Sequence, residues 1–350
     1  MSDMATTART GTGQTETTVK EPPRHNNKVI TALRRFAISI TIFNIIGYAV
    51  LGFEQPWIWP FVALAVGYTT EITLEMIGAR VQNRAPRFKG GGKKGFIEFL
   101  LPAHITSLAL NMLIYVNDHI EVMIFGVVVA VGAKWIFQAP MRGRMRHYMN
   151  PSNFGITIIL LTLPWASIAP PYHFTENVPI WVGWLIVAII GISGTILNAK
   201  LTGRMWLIAG WLIGFVLQAV LRGVFFGTSI TGALAMGTGV AFILYTNYMV
   251  TDPGTTPSKK GAQFAFGAGI AGVYGILLIA HIAYGLFLAT ALVCLIRGMF
   301  LWGLHFHTKS RLAFEKEQAD LAAAKADEGD GAEVTSLESR QPATPGAAAA

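Results

Sequence analysis

The chain holds a single cysteine, Cys294, in 350 residues. One thiol excludes an internal disulfide. It also excludes an iron–sulfur cluster held by this chain alone, because such clusters take several cysteine ligands. Charge is scarce: Asp, Glu, Lys and Arg make up 13% of the residues, well below the content of soluble domains. No glycine-rich turn is followed by a Lys-Ser/Thr pair, so a phosphate loop is absent. No Ser-His-Asp or Cys-His set shares an aqueous site, which leaves triad chemistry without support. The N-terminus has no early apolar core, so the first apolar run is expected to serve as the targeting signal.

Hydrocarbon fills the chain instead, with 53% of residues hydrophobic. Ten apolar stretches cover 36–53, 57–77, 96–116, 120–138, 152–169, 179–198, 204–222, 229–250, 263–281 and 284–303. A helix crossing a ~30 Å hydrocarbon core needs ~20 mostly apolar residues. Only helices and closed barrels satisfy their backbone groups in lipid, and the period-2 alternation of barrel strands is missing. The expected fold is therefore an all-α polytopic membrane protein of about ten transmembrane helices, with one membrane domain over 33–306. Residues 1–32 are rich in Thr, Gly and charge, and 327–350 turn acidic and then Pro/Ala-rich. Neither segment can bury enough apolar surface to offset ordering, so both are expected to be unstructured. Between them, 308–326 can extend the last span as a polar helix.

The net charge of +8 comes from loops on one side. Lys and Arg gather before span 1 and after spans 2, 4, 6, 8 and 10, for example Arg80–Lys94, Arg142–Arg146 and Lys259–Lys260. The opposite loops carry Glu54, Asp118, Glu121 and Glu176. This asymmetry places both termini in the cytoplasm and makes the lipid bilayer of the cell membrane the main partner. It removes the case for nucleic acid.

Two motifs stand at the cytoplasmic face. The first is Met149-Asn150-Pro151-Ser152-Asn153-Phe154-Gly155, at the head of span 5. Proline suits the first turn of a helix and asparagine suits its cap. Asn153 falls in that first turn, where free N–H groups and the positive dipole end can hold a carbonyl or an anionic ring edge. The alternative is a well-capped helix with no ligand. The second motif is Thr251-Asp252-Pro253-Gly254-Thr255-Thr256-Pro257, at the exit of span 8. Two prolines and a glycine make it a rigid turn. Irregular backbone at the edge of the hydrocarbon is tolerated where it lines a protein cavity. The alternative is an interfacial loop with Asp252 capping the turn.

In this order the two motifs resemble those of the NqrB/RnfD family, the large membrane subunits of ion-pumping, flavin-using electron-transport complexes. That family has an Asn-Pro-Ala-x-x-Gly element at a helix head and a later Thr-Asp-Pro-x-Thr-Ser-Pro element, similar to residues 150–155 and 251–257. Lys134 falls where the family carries a lysine. The resemblance extends over 36–306. Ala103–Leu113 and the spelling of 149–156 are most similar to the shorter UnbU-type branch from enediyne-antibiotic gene clusters. The resemblance implies a redox-linked or accessory membrane component of enediyne-type natural-product biosynthesis, working with other pathway or redox subunits. It implies cofactor contacts at Asn150, Asn153, Asp252, Thr255, Thr256 and Lys134. One departure matters. The family attaches FMN to the last Thr of a Ser/Thr-Gly-Ala-Thr motif, and the external loop Pro170–Pro179 has none. The nearest likeness, Ser229-Ile230-Thr231-Gly232-Ala233-Leu234, ends in leucine, which cannot form a phosphoester. The expectation is no covalent FMN, with a non-covalent flavin still open.

The other intramembrane polar groups are costly there and need reasons. Glu71 and Glu75 share one helix face and can bind a cation, relay a proton, or pair with Arg80 or Arg84. His104 and Asn111 share a face of span 3 and suggest an interhelix polar seam, or part of an ion or proton site. Lys134 and Arg297 sit near span ends, where they can snorkel. His305 and His307 lack a third ligand, so no metal is assigned. Gly191–Gly194, Gly232, Gly237, Gly239, Gly267, Gly269, Gly272 and Gly275 are expected to permit close helix approach. Beside the redox reading stand a small-molecule transporter or exporter and a membrane scaffold for pathway enzymes.

Overall fold

The apolar runs become helices because neither lipid nor a dry core offers water to their backbone groups. The computed structural model describes residues 27–338 apart from 142, 171, 172 and 283. The helices are α1 (Asn27–Ile46), α2 (Trp59–Val81), α3 (Gly92–Leu113), α4 (Ile120–Ile136), α5 (Pro151–Thr162), α6 (Ile180–Leu197), α7 (Met205–Phe226), α8 (Ile230–Ala235), α9 (Val240–Leu244), α10 (Lys260–Ile279) and α11 (Gly285–Glu338). Wider π turns follow α1 (Gly47–Leu51), α6 (Asn198–Thr202) and α9 (Tyr245–Met249). Four short strands form two antiparallel pairs. β1 (Ile114–Tyr115) pairs with β4 (Ser167–Ile168), and β2 (Gln138–Met141) with β3 (Arg144–His147).

The chain is an all-α multi-pass membrane protein. Seven helices among the described residues are long and apolar enough to cross a membrane, or eight if one bent pair counts as a span. The ten apolar runs exceed this number for local reasons. α4 has 17 residues and α5 only 12. α5 stops at Leu163, whose backbone is pushed out of the helical region by Pro164, and the chain passes into β4. α5 runs through the interior, with Ile156 and Ile159 fully buried; α4 buries one face (Val127, Ala130, Val131, Ala133) and leaves Ile124, Phe125 and Val128 exposed. Packed against protein, α5 need not match the bilayer, and α4 is only slightly shorter than a full span. The 229–250 run is broken at Gly237-Thr238-Gly239, and its halves bend by 68°.

Hydrogen bonds sort the helix ends. Arg34 pairs with Glu98, Asn150 bonds Met249, Gln263 bonds Gly203, and Arg297 bonds Thr255, all at one end. At the other end Asn177 bonds Leu51, Gln55 bonds Ile114, Trp59 bonds Asn117, and β1 meets β4. Successive runs therefore alternate in direction, and the Lys/Arg-rich loops share the first end, the basic end.

The second five runs pack like the first five but point the other way. α1 lies on α3 as α6 lies on α9; α2 lies on α4 as α7 lies on α10; α4 lies on α5 as α10 lies on α11. α1 and α6 each close with a π turn and a left-handed glycine, Gly52 (φ 71°) and Gly203 (φ 65°). Only glycine takes that conformation without strain.

The closest backbone-to-backbone helix approach joins α7 to α10. A Cβ on Gly210 would lie 2.2 Å from the Phe264 carbonyl oxygen, and one on Gly267 would lie 2.2 Å from that of Leu207. Gly194 and Gly275 also face close neighbours. Gly269 and Gly272 have nothing within 4 Å, the space around Gly191, Gly237 and Gly239 is ordinary, and Gly232 is close only to its own helix cap, Ser229, at 3.2 Å. These last six do not serve the close approach expected of them; two of them form the break before α9 instead. α11 continues to Glu338, beyond residue 327 where a tail was expected, through an Ala-rich segment of high helix propensity. The expectations for 1–26 and 339–350 lie outside the described residues.

Candidate functional site at the basic end

The β2–β3 hairpin delivers the chain to α5. Asn150 caps that helix from an extended backbone: its Oδ1 accepts the Asn153 N–H at 3.1 Å and the Ser152 hydroxyl at 3.1 Å. Pro151 follows at the first helical position, where no N–H is needed. The other half of the Asn150 amide donates to the Met249 carbonyl at 2.8 Å. Met249 closes the π turn after α9, whose wider winding leaves carbonyls for side chains. Asn198 and Thr251 both donate to the Asn247 carbonyl, each at 2.7 Å.

The turn that follows is held from both sides. The Asp252 carboxylate accepts the Gly254 N–H at 2.9 Å and the Thr255 hydroxyl at 3.1 Å, and its carbonyl accepts the Thr256 hydroxyl at 2.6 Å. Arg204 donates to the Pro253 carbonyl at 3.2 Å and Arg297 to the Thr255 carbonyl at 2.7 Å. Arg297 thus anchors the turn and does not snorkel. His147 lies against the same turn: a Cβ on Gly254 would sit 2.9 Å from its Nε2. Burial lowers the basicity of this imidazole, against the opposing pull of the Asp252 carboxylate. The two motifs are therefore neighbours, joined through flanking residues: Asn150 bonds Met249, just before the second motif, and His147, just before the first, packs on Gly254.

Their side chains are not equally free. Asn150, Thr255 and Thr256 are taken up in holding the backbone, and Asp252 caps its own turn. Asn153 differs. It is fully buried, and neither its carbonyl oxygen nor its amide nitrogen has a hydrogen-bond partner among the described residues. One turn further along α5 the buried Thr157 hydroxyl is also unpartnered.

The remaining candidates find protein partners. Lys134 on α4 lies 2.6 Å from the Glu71 carboxylate on α2, with both side chains about one-tenth exposed. This replaces both the snorkelling reading of Lys134 and the pairing of Glu71 with Arg80 or Arg84. Glu75 is fully buried and takes the Arg84 guanidinium, Arg87 Nε at 3.0 Å and the Arg87 N–H at 2.7 Å. His104 bridges Thr41 at 2.7 Å and Tyr68 at 2.6 Å. Asn111 bonds Asn44 at 2.9 Å and Tyr48 at 3.2 Å. The polar seam of α3 thus ties it to α1 and α2. Among the described residues no three His, Cys, Asp or Glu side chains are grouped to hold a metal ion.

Sequence reasoning passed over His147, Arg204, Asn198 and Asn247. The two asparagines carried a usable signal, since a polar amide inside an apolar run needs a partner. Comparison with models of known protein families and with curated proteins finds no match for this chain.

Proposed function

We propose that this protein is a redox-linked membrane component that holds a flavin without a covalent bond at the meeting of residues 150–155 and 251–257. The observation that carries this reading is the Asn153 carboxamide, buried with both polar atoms unpartnered. An unmade hydrogen bond on a buried group costs about 1–3 kcal/mol, so a ligand offering one donor and one acceptor fits it. The pyrimidine edge of an isoalloxazine ring alternates carbonyl and N–H groups and supplies such a pair. The α5 dipole favours the electron-rich carbonyls. Asn150 holds the helix start against the π turn, and Asp252, with Thr255 and Thr256, fixes the facing turn. Lys134 is balanced by Glu71 and acts as structural support. When bound, the flavin supplies one- and two-electron transfer. The resemblance of the two motifs to the NqrB/RnfD family supports the same reading. Its UnbU-type branch points to enediyne-type biosynthesis in the bacterial cytoplasmic membrane. Leu234 leaves no acceptor for covalent FMN.

A second reading, transport of a small molecule, draws on the opposed halves and the broken α8–α9 pair, features shared with transporter folds. The visible spectrum of detergent-purified protein from a flavin-replete host separates the two. The redox reading expects a flavin band that acid precipitation releases, that Asn153→Leu removes, and that leaves the denatured band dark in gel fluorescence. Colourless wild-type protein would sink it in favour of transport.

A further inference from the structure

Glu75 organises the end of α2 in a way the flavin reading does not use. This carboxylate is fully buried and draws in Arg84 and Arg87 from the following loop. Asn83 turns the chain back through a left-handed conformation (φ 46°), so the loop folds under the helix that precedes it. The carboxylate pairs with two cations of this segment, Arg84 and Arg87, while Arg80 and Lys89 are left to line the surface beside it. Among the described residues the Arg80 and Lys89 side chains have no partner. Between them lies a cavity of about 420 Å³, bounded by Met76, Arg80, Arg84, Pro86, Phe88 and Lys89. Its polar mouth is cationic and its wall is apolar. The wall continues onto the outer surface of α2, where Met76 is 42% and Ile77 53% exposed.

We propose that this cavity is a binding site for the phosphate of an anionic glycerophospholipid. Arg80 and Lys89 meet the phosphodiester, on a platform that Glu75 makes rigid by holding Arg84 and Arg87. The acyl chains lie along Met76 and Ile77. The geometry selects a lipid over a soluble phosphate, because Met76, Pro86 and Phe88 give the cavity an apolar wall that hydrocarbon covers well. The charge asymmetry of the loops assigns this end to the cytoplasm, where anionic headgroups attract clustered Lys and Arg.

The test titrates the full-length, delipidated protein in detergent with phosphatidylglycerol, phosphatidylcholine or glycerol 3-phosphate, with bound species counted by native mass spectrometry. One saturable phosphatidylglycerol site is expected, with far weaker phosphatidylcholine binding. Arg80→Gln with Lys89→Gln should weaken it roughly thirtyfold, as the loss of two cations implies. Arg144→Gln, on the β2–β3 hairpin and outside the cavity lining, should not. Should the double variant fail to fold, Met76→Asp, which places a carboxylate in the cavity, must also weaken binding. Equal affinity of the Gln variant and wild type would overturn the site. Equal affinity for phosphatidylcholine would overturn its charge selection, and glycerol 3-phosphate binding as tightly as the lipid would overturn its lipid nature.

Discussion

Lys134 and Glu71 show what one residue pair can decide. Each alone in the interior would be an uncompensated buried charge, and removing one partner of such a pair typically costs about 3–5 kcal/mol. Lys134→Met should therefore lower the thermal unfolding midpoint in detergent sharply. Adding Glu71→Leu should restore most of it, since two apolar side chains replace the pair. A single variant as stable as wild type would show that the pair is not desolvated. His173 tests burial without a partner. It is 4% exposed, stacks on Phe53 at 3.5 Å between ring centroids, and its Nε2 has no hydrogen-bond partner among the described residues. Burial pushes its pKa from 6.5 down to about 4. The unfolded chain takes up a proton near pH 6.5, but the folded chain resists until about pH 4. The stability from neutral His173 is thus complete above pH 6.5 and declines as pH falls to about 4. His173→Phe should flatten that part of the pH–stability curve, as read by tryptophan-fluorescence melts. An unchanged slope would refute the assignment.

Among the elements, α7 and α10 are the most demanding. Gly267 meets the Leu207 carbonyl so closely that an added methyl would sit 2.2 Å from it. Gly267→Ala must separate the helices and should cost several degrees of melting temperature. Gly269→Ala, with nothing within 4 Å, should be neutral or slightly stabilising, because alanine favours a helix over glycine by up to ~1 kcal/mol. Equal effects would mean that the helix contact is looser than described. The glycine-rich spelling of this span announced close packing, but spacing alone did not say which glycines face the partner. The α5 motif was more legible. Proline after asparagine at the start of an apolar run is a local cap signal, and Asn150 does cap α5. The turn at 251–257 was equally readable from Pro253, Gly254 and Pro257. Its anchoring by Arg204 and Arg297 was not, since each arginine lies more than forty positions away.

For the whole molecule, the alternating runs and the shared end of the basic loops define two faces. Cysteines introduced at Glu176 and at Gly91 should label from opposite sides of sealed cells. Position 176 should react with an impermeant maleimide in intact cells, and position 91 only after permeabilisation. The native thiol adds no background, because Cys294 is buried. Labelling of both positions in intact cells would contradict the topology. The class of the protein, its two faces and the α5 cap follow from the amino-acid order alone, because hydropathy, charge asymmetry and capping are sums over neighbours in the chain. The tertiary structure decided the partner of Lys134, the close faces of the glycines, the meeting of the two motifs and the unpartnered state of Asn153. These depend on groups brought together from distant positions, 63 residues apart for Lys134 and Glu71 and 99 for Asn150 and Met249, and no local pattern encodes that distance.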